Sequence, residues 1–169
     1  FTKTHSQIEL RSMIVLVTEM FHKAIVSCVP VRVGISLGKF YFNDLKSMYA
    51  GPALIEAYRV GERSQWLGIS LAESVQDAAI ELRMKSNNSD VVVNWDIPCK
   101  TGIINGYAIN WPALFAHDLK IKHPVTPELF YTAFQSSFGP YDGLPDTVRA
   151  KYINTVSFMN HYLNRHGQA

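Results

Sequence analysis

Residues Val29 to Leu37 constrain the fold more than any other stretch. Val29, Val31, Val33, Ile35 and Leu37 alternate with Arg32, Gly34 and Ser36, the period of two that lets a pleated strand bury one face. Just before them, Gln7 to Ser27 carries Ile8, Ile14, Val15, Leu16, Val17, Met20, Phe21, Ala24 and Ile25. That apolar density is too high and too long for a strand and predicts a largely buried helix. Its β-branched residues weaken intrinsic propensity, so tertiary packing has to hold it. A helix delivered straight into a strand commits the chain to a mixed architecture.

The rest of the chain continues the interleaving. Phe40 and Phe42 predict a hairpin arm after a turn at Gly38, with Asn43, Asp44 and Lys46 at an exposed tip. Gly51-Pro52 opens a helix of about three turns through Ala53, Leu54, Ala57, Tyr58 and Val60–Gly61. Trp66 to Leu71 reads as a strand, Glu73 to Met84 as a helix and Lys85 to Asp90 as a polar turn. Val91–Trp95 and Tyr107–Trp111 read as strands joined by a loop holding Pro98 and Gly102. Helices follow over Thr126–Phe138 and Asp146–Leu163, the first with Thr126 as N-cap and Pro127 at its first position. The expected fold class is α/β, an α+β sandwich with helices on one sheet face. A single domain spans 1–169, with 126–169 as a C-terminal helical extension.

Composition removes several function classes. Hydrophobic residues at 47% against 18% charged indicate a packed core. A net charge of +2 argues for neither nucleic acid nor a membrane surface as partner. No apolar run reaches the ~18–20 residues of a membrane helix, since Met13–Val29 is broken by Thr18, Glu19, His22 and Lys23. Cys28 and Cys99 form no CxxC and read as free thiols of a reducing cytoplasm. The six histidines show neither HxH nor HExxH spacing. Ser36, Ser70 and Ser74 lack a nucleophile elbow, and no GKS/T follows Gly34 or Gly38. Trp66, Trp95 and Trp111 come with no basic stripe and read as core and interface residues. Phe1 opens the chain without a cap or turn signal, so the domain is expected to lack its N-terminal strands.

The segment Arg32-Val33-Gly34-Ile35-Ser36-Leu37-Gly38, then Gly51 opening a helix that carries Arg59, then Gly68-Ile69-Ser70 and Val75, resembles the second half of a class III nucleotide cyclase domain. The wording of 29–75, with Val93–Lys100, Ala108–Trp111 and Lys151–Thr155, is similar to a divergent bacterial branch that includes the uridylate and cytidylate cyclases of Pycsar-type antiphage defence. The resemblance implies a ferredoxin-like, mostly antiparallel sheet and a homodimer with its sites at the subunit interface. It implies conversion of a nucleoside triphosphate, UTP or CTP, to a 3′,5′-cyclic mononucleotide and pyrophosphate, with Mg²⁺ or Mn²⁺ as cofactor. On this reading Arg59 is catalytic, because negative charge grows on the phosphoryl oxygens and a planar guanidinium can bind two of them. Met48, Gly51, Ile55 and Glu56 would line the nucleotide.

Three departures from the pattern bear on function. Ile55 stands where the family has asparagine, leaving Glu56 or Tyr58 as substitutes. Met48 stands where purine cyclases read the base, and a thioether accepts hydrogen bonds poorly. The metal-binding carboxylates are not identified: Phe1-Thr2-Lys3-Thr4 places Lys3 at the expected aspartate, and Glu9, Glu19 and Asp44 form no pair at metal spacing. The competing expectation is a degenerate cyclase-fold module that dimerises or senses a nucleotide. Arg32, on the strand face opposite the apolar positions, is expected to meet solvent or an interface.

Overall fold

The computed structural model describes residues 7–86, 88–119 and 124–163. In chain order the helices and strands are α1 (Gln7–Val26), β1 (Val33–Ile35), β2 (Tyr41–Asn43), β3 (Met48–Ala50), α2 (Pro52–Arg63), β4 (Ile69–Leu71), α3 (Glu73–Glu81), β5 (Lys85–Ser86), β6 (Ser89–Asp90), β7 (Val92–Cys99), β8 (Gly102–Ile109), α4 (Trp111–Leu119), α5 (Pro127–Tyr131), α6 (Gln135–Phe138) and α7 (Asp146–Leu163). Four strands form one sheet in the order β1-β4-β8-β7. β1 runs parallel to β4, and the other two pairings are antiparallel. The fold is therefore mixed, of the α+β kind, with helices packed on a four-stranded sheet.

α1 is seated by one stripe, Ile14, Thr18, Phe21 and Ile25, at the spacing a one-sided helix requires. Thr18 is tolerated there because its hydroxyl donates to the Ile14 carbonyl at 2.6 Å, which satisfies the polar group locally. The expectation of a largely buried helix holds for that stripe alone: Val15, Leu16 and Met20 are at least half exposed.

The hairpin arm expected after Gly38 is β2, which pairs with β3 and not with β1. Its tip is a single 3-10 turn in which the Asn43 side chain accepts from the Lys46 amide and Ser47 takes a left-handed φ of 48°. Pro98 and Gly102 do not form the expected loop, because β7 and β8 run eight residues each and turn only at Lys100-Thr101. Proline is accommodated because β7 is an edge strand, where an outward-facing nitrogen leaves no ladder bond unmade. The expected strand through Trp111 stops at Ile109. Asn110 accepts from the Ala113 amide at 3.4 Å and starts α4, with Pro112 in its first turn.

Register fixes which helices cover which side. Gly34, Ser70, Ala108 and Val93 stand abreast on one face. α2 lies against Gly34, and α7 reaches the same face through Phe158, whose ring meets Trp66 at 4.6 Å and Trp95 at 5.1 Å. Ile69 and Leu71 point the other way and are also fully buried. The centre of the sheet is therefore covered on both sides, which corrects the one-faced expectation. The reason lies in β4, an inner strand whose three residues all need cover. α1 packs against α3 and α4. α5, the 3-10 turn after it (Thr132–Phe134) and α7 share the common core, where Tyr131, Phe134, Phe158 and Met159 are fully buried, while α6 buries none of its residues. Among the described residues no helix is long and apolar enough to cross a membrane.

Candidate functional site

Arg59 lies on α2, so the site begins with what fixes that helix. α2 crosses β1 where both chains lack a side chain. A Cβ on Gly34 would lie 2.1 Å from the Ala57 carbonyl oxygen, and Gly61 sits over the Gly34 and Arg32 backbone. Near its start, the Ser36 hydroxyl donates to the Ala53 carbonyl at 2.5 Å, and Ser74 of α3 donates to the Glu56 carboxylate at 2.5 Å. At its end, Arg32 donates to the Glu62 and Ser64 carbonyls at 3.0 and 2.9 Å and pairs with the Glu62 carboxylate at 3.2 Å. Lys100, in the β7–β8 turn, bonds the other Glu62 oxygen. Arg32 thus closes the C-terminus of α2, where unpaired carbonyls attract a cation, and does not wait for solvent or a partner.

Held this way, α2 turns Ala57, Val60 and Gly61 toward the sheet and Ile55, Tyr58 and Arg59 outward. Spacings of three and four place those last three side by side on the helix surface. Arg59 is exposed and has no ion-pair or hydrogen-bond partner among the described residues. Its guanidinium is free to meet an anion, but nothing among the described residues pairs with it.

The other expected nucleotide contacts lie at the same end of the molecule in different states. Ile55 is half exposed on α2, and Met48 is 61% exposed on β3. Gly51 has φ 147°, and a Cβ there would sit 2.5 Å from the Lys39 carbonyl oxygen, so its first duty is the junction of hairpin and helix. Glu56 accepts from Ser74 through one carboxylate oxygen, which leaves the other open. A cavity of about 310 Å³ opens elsewhere, between α1, α4 and the β5–β6 hairpin, and none of these five residues lines it. Sequence reasoning missed Ser74, which it weighed only as a hydrolase serine. The contact spans eighteen residues and leaves no local signal.

Electrostatics separates the site from its anchors. The Lys100 hydrogen bond and charge, with the Arg32 charge, hold the Glu62 carboxyl below its usual range. Burial pushes the Cys99 thiol up, away from the thiolate a reactive cysteine needs.

No protein-family model matches this chain, and no curated protein or solved structure matches it either. What remains as a guide to function is the residues and their geometry. Those residues do not fit a two-metal centre. No group of three or more His, Cys, Asp or Glu that could hold a metal ion is present among the described residues. Glu56 and Glu62 are already engaged, and Asp44 belongs to the hairpin tip. The echo at Phe1–Thr4 lies outside the described residues.

Proposed function

We propose that this chain is a class III-like nucleotide cyclase module in which Arg59 acts on a nucleoside triphosphate bound mainly by a second copy of the chain. The observation that carries the reading is Arg59 itself: exposed, without a partner, and projected away from its own sheet by a helix fixed along its length. An arginine placed so serves a site that is completed across an interface. In the reaction the ribose 3′-oxygen attacks the α-phosphorus, and the bond to the pyrophosphate oxygen breaks. The guanidinium would neutralise charge growing on the phosphoryl oxygens. Apolar Ile55 and Met48 offer no hydrogen bonds that would select a purine, which fits UTP or CTP and equally a site that no longer reads a base; a cyclic pyrimidine nucleotide would fit signalling in antiphage defence.

The surface around Arg59 supports a homodimer. Tyr41, Phe42, Leu45, Met48 and Tyr49 of the hairpin and Leu54, Ile55 and Tyr58 of α2 are all exposed, Leu45 by 99%. With ~150–250 Å² for each fully exposed aromatic, these side chains offer on the order of 800 Å². One partner of a standard interface buries about as much. Apolar patches of that size mark binding surfaces.

The test is to incubate the protein with UTP, CTP, ATP and GTP, with Mn²⁺ supplied, and identify products by mass spectrometry. A cyclic pyrimidine nucleotide, absent with Arg59→Ala at unchanged fold and oligomeric state, is expected. Undiminished turnover by Arg59→Ala would refute the assignment. The second reading is a dimerising or nucleotide-sensing module without catalysis. It is favoured by Ile55 and by the absence of a metal-ligating cluster among the described residues, and it would stand if no triphosphate yields a cyclic product.

A further inference from the structure

Three charged side chains from three separate elements meet at the C-terminus of α2, and α7 brings a fourth within electrostatic range of them. Glu62 is the carboxylate there among the described residues, and both its oxygens are engaged, one by Arg32 and one by Lys100. The fourth group is Lys151 of α7. α7 is pinned to the segment that follows Glu62: Asn154 donates to the Gln65 carbonyl at 2.7 Å, and the Leu67 amide donates to the Thr155 hydroxyl at 2.7 Å. The Thr155 hydroxyl in turn donates to the Lys151 carbonyl at 2.6 Å, which sets Lys151 one helical turn away. Lys151 is partly buried and has no acceptor for its ammonium among the described residues.

The charges do not balance. Three cations surround one carboxylate, leaving two positive charges on a chain whose whole net charge is +2. Burial and the neighbouring charges of Arg32 and Lys100 push the Lys151 ammonium below its usual range, against the weaker opposing pull of Glu62. A partly desolvated ammonium beside like charges is unfavourable unless something answers it.

We propose that Lys151 and Lys100, backed by Arg32, form a site for a small multiply charged oxyanion of the phosphate class. A phosphate or diphosphate group carries the two negative charges that are missing, and it accepts hydrogen bonds from several donors at once. Lys151 supplies a donor with no competing acceptor, and Lys100 supplies the hydrogens that Glu62 leaves unused. Arg32 contributes charge alone, since its guanidinium is engaged with Glu62 and Ser64. Two sources share this chemistry, the free anion and the phosphate tail of a nucleotide. The site is independent of Arg59 and of the cyclase reading.

Calorimetric titration of the protein with inorganic phosphate, pyrophosphate and UTP at constant ionic strength tests it. Pyrophosphate should bind, and Lys151→Gln should weaken it about tenfold, the effect of losing one charge-assisted hydrogen bond. Lys151→Arg should retain most of the affinity. If the variants affect pyrophosphate and UTP equally, the site takes a phosphate tail; if pyrophosphate alone, it takes the free anion. Lys151→Gln should also raise the melting temperature of the unliganded protein, because it removes an uncompensated cation. No binding by any of the three, or equal affinity in wild type and Lys151→Gln, would overturn the proposal. A lower melting temperature in Lys151→Gln would overturn it as well, by showing the lysine to be a structural partner.

Discussion

In a Gly34→Ala protein the new methyl group would stand 2.1 Å from the Ala57 carbonyl oxygen, 3.0 Å from its carbon and 3.0 Å from the Gly61 amide nitrogen. All three are backbone atoms of α2, so no side chain can rotate aside. Relief requires the helix to lift by roughly 1 Å, which strains the Ser36–Ala53 and Ser74–Glu56 hydrogen bonds. Overpacking of a well-filled site costs about 1–3 kcal/mol and sometimes more, and a rigid backbone neighbour puts this case at about 3 kcal/mol or above. For a chain of this length that is a melting-temperature loss of about 6–12 °C, readable by circular dichroism. Gly38→Ala is the control: its methyl group would meet Ala53 alone, no nearer than 3.5 Å from its Cβ, an ordinary contact. A Gly34→Ala protein within about 0.5 kcal/mol of wild type, or no less stable than Gly38→Ala, would show that the glycine is not what lets α2 approach the sheet.

Other outcomes follow from the core and the ion pairs. Phe158→Ala removes the ring between Trp66 and Trp95 and should cost about 3–5 kcal/mol in urea unfolding; a loss below about 1 kcal/mol would contradict the packing described. Glu62 has a folded-state pKa below its usual 4.5, so its contribution is present above that value and fades as pH falls toward the lower one. Stability measured at several pH values below about 4.5 should therefore decline less steeply in Glu62→Gln than in wild type, and equal slopes would contradict the pairing.

Legibility in the sequence tracked the range of the interactions. α1, α2 and α7 are written in local periodicity and were readable to within a few residues, whereas a cap and a proline marked only the start of the helix expected over Thr126–Phe138, which breaks after Tyr131 into a 3-10 turn and α6. The Thr126 hydroxyl indeed accepts from the Leu129 amide at 3.2 Å. The hairpin arm at Phe40 and Phe42 and its tip at Asn43, Asp44 and Lys46 were legible from turn chemistry, whereas which strand β2 would pair with was not. Pro98 suggested a loop because local rules cannot tell an edge strand from an inner one. At the candidate site, Arg59 was found through a motif, but its outward direction was not. That direction follows from the Gly34–Gly61 crossing, a contact made by side chains that are missing. Arg32 was read by strand alternation alone, which says nothing of a helix terminus arriving thirty residues later.

The attachment of α7 has a consequence for the order in which the molecule is made. The Leu67–Thr155 hydrogen bond joins positions 88 residues apart, and Trp66, wholly buried in the finished protein, is packed there by Phe158. During synthesis the hairpins can form as they emerge, since their contacts are close in sequence. Trp66 then faces water until almost a hundred further residues have followed it. Its indole emission should therefore shift late and in one step, when α7 docks, and that shift would time the completion of the core.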